Sequence, residues 1–335
     1  MHSLTVTLTR FRFRLARLPE VVALVSFLAV FLFFSIAADN FLTGVALSNI
    51  LSFGSVMGII VVGVAILMIA GEFDLSVGAT FAVASFVFAE TMNAGVPPLL
   101  AMLIALLVAT LLGAINGLVV IWTGIPSFIT TLGTMLAYRG IARAIGGGDF
   151  AKYIESTPAL FSILNGAIDS LNRRFAPMAN FRLSIVWFLL IALLMAVILS
   201  RTRFGNWIFA TGGNPGAALA QGVPVKRVKL TAFVMVGLLT GLASLMQFAH
   251  RTSVDPLRGE GWELIAVSAC VIGGVQLTGG VGTILGASAG VMLLQVLDQG
   301  LVLMGISVQI FRAVAGLILM LSVVLNIYLS QPSQS

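Results

Sequence analysis

Long apolar runs alternate with short polar interruptions along this chain, and the length of the runs decides the first reading. A helix that crosses a bilayer needs roughly 20 apolar residues. Runs near that length recur at about 21–38, 47–70, 79–95, 99–122, 127–145, 183–200, 230–249, 263–276, 281–303 and 309–328. The pattern predicts an all-α, polytopic integral membrane protein of about ten transmembrane helices. One transmembrane domain would cover 21–328, between a segment 1–20 and a tail 329–335.

The polar interruptions set the orientation. Residues 1–20 hold Arg10, Arg12, Arg14 and Arg17 against Glu20 alone, so the N-terminus is expected in the cytosol. Residues 201–230, RTRFGNWIFATGGNPGAALAQGVPVKRVKL, carry Arg201, Arg203, Lys226, Arg227 and Lys229 and no acid. They read as a second cytoplasmic segment. Within it Asn214 is an N-cap, Pro215 a first-turn proline and Gly222 a helix stop, which predicts a two-turn helix over 215–221. Its side chains, Ala217, Ala218, Leu219, Ala220 and Gln221, make a small apolar knob suited to a groove on another protein. Residues 146–182 balance Lys152, Arg173, Arg174 and Arg182 against Asp149, Glu155 and Asp169. That near neutrality fits an outer loop, and its helical spacing predicts short amphipathic helices. With this bookkeeping both termini lie in the cytosol.

Composition agrees and removes alternatives. Hydrophobic residues make up 59%, charged residues 9%, and mean hydropathy is +1.11, far from the roughly 25% charged residues of a soluble domain. The net charge of +6 sits at membrane flanks, where orientation explains it, so nucleic acid is not implied. The first apolar run lacks a small-residue cleavage site and reads as a retained anchor. A lone Cys270 excludes an intrachain disulfide and reads as a buried small hydrophobe. Glycines four apart in GSVMG (54–58), GAING (113–117), GLLTG (237–241) and GTILGASAG (282–290) argue for closely packed helices.

Several motifs are decoys. LTGG (277–280) resembles an ATPase signature, but the chain has no phosphate-cradling G-x-x-x-x-G-K-[ST]. GASAG (286–290) matches a nucleophile elbow, yet it lies in a predicted span, and His2 and His250 both precede Ser288. An enzyme is therefore not expected, nor a metal site. Asp298 and Arg312 are expected as an ion pair near the outer ends of adjacent spans.

The carboxylates of GEFDLSVGA (71–79), Glu72 and Asp74, stand between two apolar runs, where ionisable residues tend to be functional. Gly71-x3-Leu75-Ser76-x-Gly78 recurs as Gly273-x3-Leu277-Thr278-x-Gly280, an offset of 202 residues. Chance and an internal repeat both account for it, and repeats with interrupted helices are common near transport routes. Thr130, Thr131 and Thr134, with Asn116, offer hydroxyl and amide partners to a polyol, although threonines also bond back to their own helix.

Four segments carry a family resemblance. FGNWIFATGGNPGAALAQGVPVKRVK resembles the cytoplasmic coupling segment of bacterial ABC importer permeases of the monosaccharide-uptake type, such as the ribose, xylose and arabinose permeases. Their Glu-Ala-Ala, three residues, Gly pattern is matched by Ala217, Ala218 and Gly222, with Gly216 in place of the Glu. GEFDLSVGA resembles the G-G-I-D-L-S-V-G of that family, with Glu72 replacing a glycine. Pro126, Phe128, Ile129, Thr131, Leu132, Gly133 and Thr134 follow its P-x-F-I-x-T-L-G-T stretch, and 271–307 is similar to its C-terminal signature.

The resemblance implies a translocation subunit in the bacterial inner membrane that passes a monosaccharide or related polyol. It implies a cytoplasmic ABC ATPase docked on Asn214, Pro215, Ala217, Ala218, Leu219 and Gly222. ATP and Mg would reside in that ATPase, with no cofactor in this chain. A periplasmic or lipid-anchored sugar-binding protein and a second permease copy or homologue complete the assembly. Asp74, Ser76, Asn116, Phe128, Thr131, Thr134, Gln276 and Thr278 are the candidates for the substrate pathway. Two rivals stay open: a proton-coupled carrier using Glu72, Asp74, Glu90 or Asp298, and an ABC permease for branched-chain amino acids.

Overall fold

The computed structural model describes residues 19–153, 157–175 and 178–306, with isolated positions between 310 and 320. The basic N-terminal cluster, Glu155, Arg312, most of the expected span 309–328 and the tail 329–335 lie outside the described residues. The elements are α1 (Pro19–Ala37), α2 (Gly44–Ile69), α3 (Val77–Asn93), α4 (Pro98–Thr123), α5 (Ser127–Ile145), β1 (Ala151–Lys152), α6 (Ala159–Asn165), α7 (Asp169–Phe175), α8 (Ser184–Arg201), α9 (Arg203–Gly213), α10 (Pro215–Ala220), α11 (Val225–Arg251), β2 (Ser253–Val254), α12 (Trp262–Ile272) and α13 (Ile284–Leu303). The only paired strands among the described residues are β1 and β2, antiparallel, with Ala151 opposite Val254. The architecture is all-α.

Helix α2 is the centre of the bundle. Its most apolar stretch is 89% buried, whereas those of α4 and α8 are 28% buried. A helix apolar on every side is stable in the middle of a bundle, and one with an exposed apolar face is suited to lipid or a partner. Helices α11, α13, α8 and α12 pack around α2, and α3 packs against α4, α5 and α11. The glycine spacings mark these crossings. A Cβ on Gly113 of α4 would lie 3.1 Å from the Cα of Gly237 on α11, and one on Gly237 would collide with the Ala109 carbonyl.

Among the described residues, five helices are long and apolar enough to cross a membrane: α2, α4, α8, α11 and α13. Helices α1, α3 and α12 are shorter apolar helices, and α5 carries Arg139 and Arg143 along its 19 residues. The clearest difference from the expected pattern is at 263–276, where α12 has 11 residues. That is roughly 16 Å of helix, about half of a bilayer's apolar thickness. The apolar residues continue past Ile272, but Gly273 and Gly274 end the helix: Gly274 is left-handed at φ +85°, Val275 N–H donates to Cys270 O at 2.9 Å, and Gly274 N–H donates to Val271 O at 2.9 Å. This is a Schellman stop.

Candidate functional site

Helix α2 ends in the same way. Gly71 is left-handed at φ +84°, its N–H donates to Met68 O at 2.9 Å, and Glu72 N–H donates to Leu67 O at 3.1 Å. The two stops are one position out of step with the sequence echo, since Gly71 corresponds in backbone to Gly274 and not to Gly273. The glycines nevertheless bring the two breaks together. A Cβ on Gly279 would lie 2.7 Å from the Gly71 Cα, and one on Gly71 would lie 3.3 Å from the Cα of Gly212 at the end of α9. Gly280 N–H donates to Ile69 O at 2.8 Å. Both breaks and the end of α9 thus meet backbone to backbone, which only residues lacking a side chain allow.

From this junction residues 72–76 leave the helix. In an apolar surrounding their free N–H groups need partners, and α5 supplies two of them. Phe73 N–H donates to Ser127 Oγ at 3.0 Å and Leu75 N–H donates to Thr131 Oγ1 at 3.1 Å. Four residues of helix rise about 6 Å and two residues of extended chain about 6.6 Å. Hydroxyls at i and i+4 of α5 therefore match N–H groups at j and j+2, and the helix stands in for the edge of a neighbouring strand.

Asp74 closes the arrangement. Its Oδ1 accepts from Ser76 N–H and Ser76 Oγ–H, both at 2.7 Å, and its Oδ2 accepts from Asn116 Nδ2 at 3.2 Å. Asn116 Nδ2 also donates to Ser76 Oγ at 2.8 Å, and Tyr138 Oη–H is shared between Asn116 Oδ1 at 3.1 Å and Leu112 O at 3.0 Å. The carboxylate has no cation beside it among the described ion pairs. Three donors hold it instead, and charge-assisted hydrogen bonds of this kind are the stronger ones.

Of the sequence-nominated pathway residues, Asp74, Ser76, Asn116 and Thr131 form this one cluster, buried and mutually satisfied. Such a cluster fixes the break between α2 and α3, and it has few free groups to offer a ligand. Thr134 is half-buried, and its hydroxyl bonds back to Thr131 O at 3.3 Å. Phe128 is 53% exposed on the outer face of α5. Gln276 and Thr278 belong to the second break, where Thr278 is exposed and Gln276 half-buried. Ser127, Tyr138, Arg139, Lys229 and Glu263 were missed. Ser127, Thr131 and Tyr138 share one face of α5 at i, i+4 and i+11, the signal that would have found two of them.

The ion pair was also invisible in the sequence. Glu72, whose side chain is 8% exposed, is bound by Lys229 of α11 across 157 residues. Lys229 thus faces the bundle, whereas Lys226 and Arg227 are exposed. Asp298 Oδ1 is buried without a partner among the described residues, and the expected partner Arg312 lies outside them.

The docking candidates form a compact motif. Asn214 Oδ1 accepts from Ala217 N–H at 3.0 Å, Pro215 opens α10, Gly222 is left-handed at φ +81°, and Val223 N–H returns to Ala218 O at 3.0 Å. Leu219 projects outward at 63% exposure. A shallow depression of about 300 Å³ lies beside it, lined by Ala210, Gly213, Asn214, Ala217, Ala218 and Val223 among others. Ala218 is turned inward and is 5% exposed. A bulky change there disturbs packing, so Ala217 and Leu219 are the outward positions.

Residues 46–323 match the family described as branched-chain amino acid transport system / permease component. The chain belongs to this family of permeases. The permease is 34% identical over 303 residues to the autoinducer 2 import system permease protein LsrC of Salmonella typhi, covering 90% of this chain and 83% of that protein. It is 32% identical over 303 residues to the protein of that name from Photorhabdus luminescens, covering 90% and 87%. For the one from Yersinia enterocolitica the figures are 33% over 304 residues, 90% and 80%. No solved structure matches the permease. The similarity reaches far beyond the four segments that first pointed to ABC importer permeases. As a member of the family the chain is a multi-pass membrane transport subunit and not a catalytic one.

Proposed function

We propose that this permease is the membrane-crossing subunit of an ATP-driven importer for a monosaccharide or a related polyol. Its basic segment 201–230 faces the cytosol, where α10 docks into a groove of a separate ATPase that holds ATP and Mg. A sugar-binding protein delivers the substrate on the other side, and a second permease copy or homologue covers part of the exposed apolar surface of α4, α5 and α8. The observation that carries the reading is the position of α10. It is a capped helix with outward Leu219, one residue beyond the α9 glycines that touch both helix breaks. A push on α10 is thereby transmitted by backbone contact to Gly71 and Gly279, and from Gly71 to the segment held by Asp74.

The bonding of Glu72 and Asp74, two of the four carboxylates a proton relay would use, supports ATP as the energy source, whereas Asp298 Oδ1 has no partner among the described residues. Glu72 is ion-paired and both oxygens of Asp74 are occupied, which leaves neither free to exchange protons with a pathway. The monosaccharide-type segments favour a sugar, and the family description keeps branched-chain amino acids as the second reading.

The test is transport by the complex copurified with its ATPase and binding protein in vesicles, with ribose, xylose, arabinose, autoinducer 2 and leucine offered in turn. Uptake of a sugar that needs ATP and ignores an imposed proton gradient is expected. Leu219→Glu should insert normally, lose the copurifying ATPase and stop uptake, because a charge buried without a partner costs about 3 kcal/mol, over a hundredfold in affinity. Leucine uptake would overturn the sugar assignment, and full ATPase binding by the Leu219→Glu variant would overturn the docking assignment.

A further inference from the structure

The N-termini of α3 and α12 meet deep in the bundle. Asn93 near the end of α3 reaches the Lys152 carbonyl of β1 at 3.4 Å. Gly78 stands fifteen residues earlier, roughly 22 Å down the helix. The chain after β2 descends to that depth, since a Cβ on Gly259 would lie 2.8 Å from the Gly78 carbonyl oxygen. Residues 255–261 therefore pack beside the first turn of α3, far along that helix from its C-terminal end. They are pinned by Arg139 of α5, whose Nη1 donates to Pro256 O at 3.0 Å and to Arg258 O at 2.8 Å.

Glu263, in the first turn of α12, is 9% exposed and points at the first turn of α3. Its Oε2 lies 2.6 Å from where a Gly78 Cβ would be. Oε1 accepts from Gly261 N–H at 3.1 Å, whereas Oε2 is buried with no partner among the described residues. Leaving such a group unpaired is costly, so the position calls for a donor. Arg139 is within electrostatic reach of Glu263, but no N–O contact of 4.0 Å or less joins them. Among the described hydrogen bonds its guanidinium uses Nη1 alone, with further N–H donors left over. Trp262, next to Glu263, lies against Phe81 with ring centroids 4.9 Å apart.

We infer that Glu263 and Arg139, flanked by Trp262, form a binding site for a neutral polyhydroxyl ligand on its way through the permease. One hydroxyl of such a ligand can donate to Oε2 and another can accept from a guanidinium N–H, so a polyhydroxyl compound serves both groups. An anion is repelled by Glu263, which already supplies the negative charge that two helix N-termini attract. A cation is repelled by Arg139, and an amino-acid zwitterion would meet both charges, so the choice of a polyol over it comes from the monosaccharide-type segments and not from this pair. The inference rests on the sugar-importer reading for the ligand class, and it assigns to a glutamate and an arginine, absent from the nominated pathway, the role of holding the sugar.

The test is equilibrium binding of radiolabelled ribose, xylose and arabinose to the permease–ATPase complex in nanodiscs, beside ATP-driven uptake of the same sugars by the complete importer. Glu263→Gln removes one charge-assisted hydrogen bond and should weaken binding of the accepted sugar by about tenfold to a hundredfold. Glu263→Asp should fall in between, and Arg139→Lys should weaken binding while the ATPase still copurifies. Sugar uptake with binding unchanged in Glu263→Gln would overturn this site and leave the importer reading standing. Uptake of leucine and of no sugar would overturn both. Failure of every sugar to bind the wild-type complex while uptake proceeds would reduce the free Oε2 to a water site and overturn the inference.

Discussion

Asp74→Asn is the most informative single change, because the structure dictates how it fails. The carboxylate receives Ser76 N–H and Oγ–H on Oδ1 and Asn116 Nδ2 on Oδ2. An amide has one oxygen and one NH₂, so with Asn116 oriented as it is a donor faces a donor whichever way the new amide turns, and relief requires Asn116 to flip and Tyr138 Oη–H to rely on Leu112 O alone. Losing a charge-assisted hydrogen bond costs about 1.5–3 kcal/mol and leaving a buried donor unpaired about 1–3 kcal/mol. With partial relaxation the loss should be about 3 kcal/mol, over a hundredfold in the folded-to-unfolded ratio. The companion change Asn116→Asp restores the pairing in reverse: the new amide keeps its oxygen toward Ser76 and donates to the new carboxylate, which also accepts from Tyr138 Oη–H. The assay is the unfolding midpoint in detergent, followed by ATP-driven uptake in vesicles. Asp74→Asn should be destabilised and slow, and Asp74→Asn/Asn116→Asp should recover most of the stability. A stable single variant, or a double variant no better than the single, would refute the reasoning that this network holds the break.

Two further outcomes are expected. Glu72→Lys and Lys229→Glu should each cost about 1–2 kcal/mol, less than a fully buried pair because Lys229 is 23% exposed, and the charge-swapped double variant should regain it; additive losses in the double-mutant cycle would show that the pair does not couple the break to α11. A single cysteine at Ala217, in a Cys270→Ser background, should be labelled only from the cytosolic side, and labelling from outside would reverse the orientation proposed for the permease.

The apolar runs by themselves determined that the chain is a helical membrane protein, because a bilayer imposes one length and one composition on any helix that crosses it. Local chemistry was equally legible: Asn214, Pro215 and Gly222 write a cap, a first turn and a stop within nine residues, and α10 spans Pro215–Ala220. What only the tertiary structure decided is long-range pairing. Ser127 and Thr131 look like ordinary helix hydroxyls until the non-helical residues 73 and 75 place their N–H groups beside them. Lys229 looks like one more flank cation until Glu72, 157 residues away, meets it. Asp74 and Asn116 were nominated to meet a substrate, but the fold joins them to each other. The apolar run at 263–276 hid a helix of 11 residues, since hydropathy measures the apolar surroundings of a segment and a half-length buried helix is as apolar as a span. Whether such a run crosses the membrane or turns back depends on which backbone groups find partners, and those partners come from other parts of the chain.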